Sequence, residues 1–371
     1  MIQPEKKEKQ KSALAKKLDA LVIKFLTPVS IKEKLLFVNN LRTMVKAGLS
    51  LIEALRILSM EIENKKLKNI IAEVKQEVEK GKTLSDSLAL NPKIFPPVYT
   101  SMIAAGENAG KTEEALEQVH NQMKRAYELN SSIRGALIYP AVIFTAIIGI
   151  GIEMVVFVLP KIMIMFKEFN AELPLPTKIL MWIMNFLTNY GLYALAFLII
   201  LYFLLSRLYK KPAVKKFAHN FFLKLPIFGN IIKKINIARF SLTLSSLLQS
   251  TIPIIDATRI TADVMGNLTY KNNLIAAAES LKKGETLSEI LARYPVTFPP
   301  MVTEMIMVGE QSGKTEDMLN ELSEFYGKEV DGIMKNFSTI IEPVIILILG
   351  LAVAGIAVSV IMPMYSLAES F

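Results

Sequence analysis

One string of residues occurs twice in this chain at a fixed distance. Phe95-Pro96-Pro97, Met102 and Gly106-Glu107-Asn108-Ala109-Gly110-Lys111-Thr112 return as Phe298-Pro299-Pro300, Met305 and Gly309-Glu310-Gln311-Ser312-Gly313-Lys314-Thr315. Every matched pair is separated by 203 positions, so no residue is gained or lost between the copies. The same offset pairs Phe37 with Phe240, Arg56 with Arg259, and Gly81 with Gly284. It also pairs Thr83-Leu84-Ser85 with Thr286-Leu287-Ser288, Pro140 with Pro343, and Pro160 with Pro363. Residues 37–160 and 240–363 are therefore two copies of one unit, and the fold must be built twice.

Each copy is a polar, helix-patterned part followed by a long apolar run. Leu137–Leu159 carries one charge, Glu153, while Phe186–Leu205 and Val344–Met362 carry none. Each run is about 19 residues or more, enough to cross a hydrocarbon core as a helix. The mean hydropathy of +0.38 would not decide this alone; the clustering does. Two parallel copies must enter the membrane in the same direction. An extra crossing is then needed between them, and residues 186–205 supply it.

The polar part of repeat 1 reads as six helices with no strand period. They are Leu35–Ala47, Leu51–Ile62 after Ser50, Lys65–Lys80 before Gly81, one opening at Thr83-x-x-Asp86 in capping-box form, one starting at Phe95-Pro96-Pro97, and one over Thr112–Arg134. The expected class is an all-α integral membrane protein with duplicated cytoplasmic six-helix bundles and three transmembrane helices. The expected division is a basic tail and amphipathic helix over 1–34, bundle 1 over 35–135, and spans over 137–159, 179–205 and 339–363. An outer loop over 160–178, bundle 2 over 206–338 and an outer tail over 364–371 complete it.

Orientation follows from Lys and Arg near the span ends. Lys124, Arg125 and Arg134 precede the first span, Arg207, Lys210, Lys211, Lys215 and Lys216 follow the second, and Lys328 and Lys335 precede the third. The tail after Met362 has neither residue type. Both bundles and the N-terminus are expected in the cytoplasm and the C-terminus outside. No signal peptide is expected, because residues 1–17 are too polar. The net charge of +9 fits cytoplasmic loops of a membrane protein rather than nucleic-acid binding.

The chain has no Cys, which removes disulfides and thiolate metal sites. His120 and His219 lie in different repeats without matching partners and are expected at the surface; metal binding by other ligands is left open. Gly106 to Thr112 resembles a phosphate-binding loop, but has three residues, not four, between its first Gly and Gly-Lys. It also follows a helix, where that motif follows a strand. It reads instead as an inter-helix turn in which Thr112 or Thr315 caps the next helix. No cofactor and no catalytic arrangement is expected. Glu153 lies within a span, but about 10 Å of helix before Pro160, so it reads as reaching the outer interface.

Together, the repeated Phe-Pro and Gly-Glu-x-x-Gly elements, the Leu-Ser elements after Gly81 and Gly284, Tyr139-Pro140, Glu342-Pro343 and Leu173-Pro174-Leu175-Pro176-Thr177 resemble the type II secretion system F family. That family includes the inner-membrane platform proteins of type IV pili. Relative to many members, this chain is short at its N-terminus. The resemblance implies a non-enzymatic platform in the bacterial inner membrane, at least dimeric. Its implied partners are a cytoplasmic hexameric assembly ATPase, pilin or pseudopilin subunits and other inner-membrane assembly proteins. A transporter and a membrane-bound nucleotide-binding protein are the alternatives. The expected contact or structural turns are Gly106, Glu107, Gly110 and Lys111 with Gly309, Glu310, Gly313 and Lys314. Tyr139, Pro140, Glu342 and Pro343 mark membrane entry. For Glu107 and Glu310 the local reading is a carboxylate accepting N–H groups of its own turn or the next helix start. The rival reading is a contact with a partner.

Overall fold

A computed structural model describes residues 28–154, 157, 160, 175–209, 211–226 and 228–368. The basic helix expected before residue 27 and most of the 160–178 loop lie outside the described residues. Every regular element among the described residues is a helix.

In repeat 1 these are α1 (Ile31–Lys46), α2 (Leu51–Glu61), α3 (Lys65–Glu79), α4 (Leu84–Ala89), α5 (Pro97–Asn108) and α6 (Thr112–Glu153). Next come α7 (Leu175–Tyr209) and α8 (Pro212–Lys224). Repeat 2 follows as α9 (Phe228–Gln249), α10 (Ile254–Val264), α11 (Leu268–Leu281), α12 (Leu287–Ala292), α13 (Pro300–Ser312) and α14 (Thr315–Ala368). Helix α1 starts four residues earlier than its apolar period suggests. Ser30 and Glu33 form a full capping box there, each side chain bonded to the other's backbone N–H.

The chain divides into two compact units. One comprises residues up to 130 together with 226–328, and so holds the polar parts of both repeats. In it α2 packs on α1 and α3, and α4 on α5; α10 packs on α9 and α11, and α12 on α13. Leu41, Leu55, Ile71, Leu84, Met102, Leu116 and Val119 are sealed from solvent in repeat 1. Their counterparts Leu244, Thr258, Leu274, Leu287, Leu319 and Leu322 are sealed in repeat 2. At the centre of each bundle the phenylalanine before the Pro-Pro pair meets the α1-type helix. Phe95 lies 5.8 Å from Phe37, and Phe298 lies 5.1 Å from Phe240.

The other unit comprises 131–225 and 329–371. Among the described residues, two helices are long and apolar enough to cross a membrane, Thr112–Glu153 and the Thr315–Gly355 part of α14. Their apolar halves are largely exposed, as with Ile138, Ile148, Leu347 and Leu351. The helix expected over Thr112–Arg134 does not end there: α6 is one helix of 42 residues with Pro140 in its interior, and the division between the two units falls within it at Asn130. Helix α14 likewise carries Pro343 through its 54 residues. A proline removes one backbone hydrogen bond, a local loss that a long helix survives where neighbouring groups satisfy the freed carbonyl. Tyr139 is exposed and Pro140 buried, while Glu342 and Pro343 are exposed, all four inside continuous helix. Glu153 ends α6 and is exposed. Helix α7 begins at Leu175, inside the expected loop, and α14 runs to Ala368, inside the expected tail.

Candidate functional site: a carboxylate clamp repeated at each Gly-Glu turn

Helix α4 is six residues long and cannot satisfy its own first N–H groups. All three are taken by side chains. The Leu84 N–H donates to Glu107 Oε1 at 2.6 Å and the Ser85 N–H to Glu107 Oε2 at 2.9 Å. The Asp86 N–H donates to Thr83 Oγ1 at 3.1 Å. Thr83 thus makes the forward half of a capping box, and a carboxylate from α5 supplies the rest. Repeat 2 is built alike. Leu287 N–H reaches Glu310 Oε1 at 2.6 Å, Ser288 N–H reaches Glu310 Oε2 at 3.2 Å, and Glu289 N–H reaches Thr286 Oγ1 at 3.4 Å. There the Ser288 hydroxyl also donates to Glu310. The N–H groups belong to a helix upstream of the glutamate, neither to its own turn nor to the helix that follows.

The glycines around each glutamate have two separate jobs. A Cβ on Gly106 would stand 2.2 Å from the Ala115 Cβ, and one on Gly309 would stand 2.8 Å from the Thr315 Cα. These glycines let α5 lie against α6, and α13 against α14. Gly110 and Gly313 instead have φ of 68° and 69°, the left-handed region. Lys111 N–H bonds the Gly106 carbonyl at 2.7 Å and Gly110 N–H bonds the Glu107 carbonyl at 3.1 Å. This is a Schellman ending. The carbonyl of Lys111 already accepts the Ala115 N–H, so Lys111, not Thr112, stands at the cap position of α6. Lys111 thus both receives the Schellman bond through its N–H and opens the next helix through its carbonyl, which leaves Thr112 already inside α6.

Lys111 points away from this turn to Glu114, 3.1 Å off on the surface. The turn follows a helix, its N–H groups are spent internally and its lysine is paired on the surface, so nothing converges on a phosphate. No group of three or more His, Asp or Glu suited to a metal occurs among the described residues. His120 is only partly exposed, with Nδ1 buried and unpartnered, while His219 lies 3.0 Å from the Tyr209 hydroxyl.

The carbonyl just before each Phe-Pro pair is served by a residue the repeat does not preserve. Lys34 Nζ donates to the Ile94 carbonyl at 3.2 Å, and burial lowers the pKa of this lysine. In repeat 2 the Tyr270 hydroxyl donates to the Thr297 carbonyl at 2.8 Å. Burial drives the Tyr270 pKa upward, with Tyr326 adding to it. The positions equivalent to Lys34 and Tyr270 hold Ile237 and Leu67, both buried. The requirement is conserved between the repeats while its solution is not, so matching residues at the offset could not reveal it.

The family model for type II secretion system (T2SS), protein F matches residues 37–160 and again 240–363. These are the bounds that the 203-residue offset marks. The chain is 32% identical over 337 residues to the type IV pilus assembly protein PilC of Myxococcus xanthus, covering 91% of this chain and 81% of that protein. It is 32% identical to PilC of Thermus thermophilus, covering 91% and 83%. It is equally 32% identical to type II secretion system protein F of Vibrio cholerae, covering 90% and 82%. The duplicated clamp sits inside both matched stretches, and the chain belongs to the type II secretion system protein F family, whose members are non-enzymatic assembly proteins.

Proposed function

We propose that this protein is an inner-membrane platform for assembly of a type IV pilus or a type II secretion pseudopilus. In this reading it couples a cytoplasmic hexameric ATPase to the insertion or extraction of pilin-like subunits. Three spans carry it, the second formed by α7, whose residues between Lys178 and Arg207 bear no charge. Both bundles face the cytoplasm and the C-terminus lies outside.

The observation that carries the reading is the pairing of a bundle with a membrane-length helix, made twice. Helices α6 and α14 give Leu116, Val119, Leu319 and Leu322 to bundle cores and continue unbroken into apolar sequence. A load applied to either bundle acts on a helix that is also a span. Glu107 and Glu310 serve this arrangement as structural clamps rather than as partner contacts.

The test is deletion of the gene with complementation, scored for filament assembly and for co-purification of the assembly ATPase. Loss of filaments, restored by the intact chain, is expected. Normal filaments in the deletion strain would refute the platform role. Single-cysteine labelling tests the topology, since the chain lacks Cys. Ser370→Cys should react with an impermeant maleimide in intact spheroplasts; reaction only after lysis would overturn the orientation.

A further inference from the structure

The two repeats share one fold, yet they meet through different faces. Repeat 1 presents α5 and α6, and repeat 2 presents mainly α9 and α10. The Ser250 hydroxyl donates to Gln118 at 2.6 Å, the Ser246 hydroxyl to Gln122 at 2.8 Å, and the Gln118 amide to the Gln249 carbonyl at 3.4 Å. Arg125 reaches Asn320 at 2.7 Å. A head-to-tail contact of this kind uses one face of each repeat and leaves one of each over. The faces left over are α13–α14 of repeat 2 and α1–α2 of repeat 1.

The remaining α13–α14 face is not finished like a solvent surface. Where the covered face of repeat 1 has Ala104, Ala105 and Gln122, this one has Met307, Val308 and Phe325, exposed by 42%, 52% and 44%. We propose that a second copy of the chain lays its α1–α2 face on this α13–α14 face, repeating between molecules the contact that joins the repeats within one.

The offset of 203 says which residues would then meet: the two serine–glutamine bonds give way to Ala47 against Glu321 and Thr43 against Phe325, while three other pairings gain opposite charges. Gln118 against Gln249 becomes Glu321 against Lys46, both exposed. Arg125 against Asn320 becomes Lys328 against Glu117, which stands on α6 beside the α1–α2 face and also pairs with Arg42 of α1. Ser101 and Arg259, which line one cleft, become Glu304 and Arg56. Three neutral or singly charged pairings turn into three opposite-charge pairings, two of which extend ion pairs already made within the chain, Glu117 with Arg42 and Arg56 with Glu53, and opposite charge favours bringing these faces together. Size is complementary too. The larger Met307 and Val308 replace Ala104 and Ala105, while Gly48 and Ser50 replace Thr251 and Pro253 on the opposing side of that cleft.

The proposal deepens the platform reading by assuming self-association in the membrane, so its test must separate the two. Full-length chains bearing Lys46→Cys and Glu321→Cys, differently tagged, are co-expressed and treated in membranes with a short bis-maleimide. A covalent dimer carrying both tags is expected, with at least several-fold less from either variant alone. Glu321→Lys should reduce dimer in detergent several-fold, and Glu321→Lys combined with Lys46→Glu should restore it. If an amine cross-linker traps dimers while the cysteine pair does not react, this face is wrong and self-association stands. If both give monomer only, both ideas fall. An adduct of Glu321→Cys with a different protein would assign the face to that protein and overturn the proposal.

Discussion

The Glu107 carboxylate accepts the Leu84 backbone N–H at 2.6 Å, across 23 residues of chain, and Glu310 does the same to Leu287 across the same separation. This bond ties together two motifs that the sequence shows only as separate repeated strings. Replacing Glu107 with Gln keeps one acceptor oxygen and turns an N–H₂ toward the second N–H group. Loss of a charged hydrogen bond of this kind costs about 1–3 kcal/mol. Glu107→Gln and Glu310→Gln should each lower the urea midpoint of the chain, with ATPase co-purification retained. Unchanged unfolding together with lost co-purification would make these carboxylates partner contacts.

Gly106 and Gly309 should be far less tolerant than Gly135, whose φ is ordinary and whose surroundings are open. Gly106→Ala drives a methyl into Ala115 at 2.2 Å and must part α5 from α6. Overpacking of that kind costs about 1–3 kcal/mol. Gly135→Ala, where nothing lies within 4 Å of the new Cβ, should be neutral or mildly stabilising. Equal thermal stability of the two variants would contradict the close approach.

Thr251 is the one non-glycine residue with positive φ among those described, at 58°. Its repeat counterpart is Gly48, with φ 87°. Both occupy the Schellman position, since Ile252 N–H bonds the Leu247 carbonyl and Leu49 N–H bonds the Met44 carbonyl, each at 3.1 Å. A β-branched residue there stores about 1–2 kcal/mol, partly offset by the greater unfolded-state freedom of glycine. Thr251→Gly should therefore raise stability by up to about 1 kcal/mol, and Gly48→Thr should lower it. Differential scanning calorimetry on both variants decides; a destabilised Thr251→Gly would mean the threonine is needed for packing.

Tyr270→Phe removes the donor to the Thr297 carbonyl and changes little else in the core. The orphaned carbonyl should cost about 1–3 kcal/mol. The paired change Leu67→Tyr in repeat 1 should bring no matching gain, because Lys34 already serves the Ile94 carbonyl. Equilibrium unfolding of each variant measures this.

His120 gives a pH dependence with a definite sign. Burial first, and Arg42 and Lys124 second, hold its pKa below the ordinary 6.5. As pH falls below 6.5 the unfolded chain takes up a proton that the folded bundle resists. The contribution of this histidine is therefore present above that pH and is lost as pH falls toward and through the folded value. Wild type should lose more stability than His120→Gln between about pH 7.5 and pH 5.5. Parallel loss in both proteins would remove His120 as the cause.

Much of this was legible in the residues alone. The offset located both family matches to the residue, and Ser50, Gly81, Pro97 and Gly110 marked helix ends that the backbone confirms. What stayed hidden were contacts between elements. Glu107 and Leu84 were both conspicuous, but no periodicity says that the end of α5 lies over the start of α4. Lys34 and Tyr270 do one task from non-equivalent positions, so the repeat itself concealed them. Pro140 and Pro343 read as marks of membrane entry, but nothing in the sequence said that one helix would run from the bundle through each of them, as α6 and α14 do.

The unbroken course of α6 also bears on how the protein is made. Leu116, Val119 and Met123 close the first bundle's core, and they belong to the helix whose apolar half follows directly in the chain. During synthesis helices α1–α5 emerge before the residues that lock them together, and those residues arrive just ahead of the membrane-length apolar half of α6. In the platform reading, in which α6 is a span, the bundle therefore seals at about the moment its last helix is captured by the bilayer. Insertion and folding are then one event, and a variant that delays either would leave the nascent chain with an open core beside the membrane.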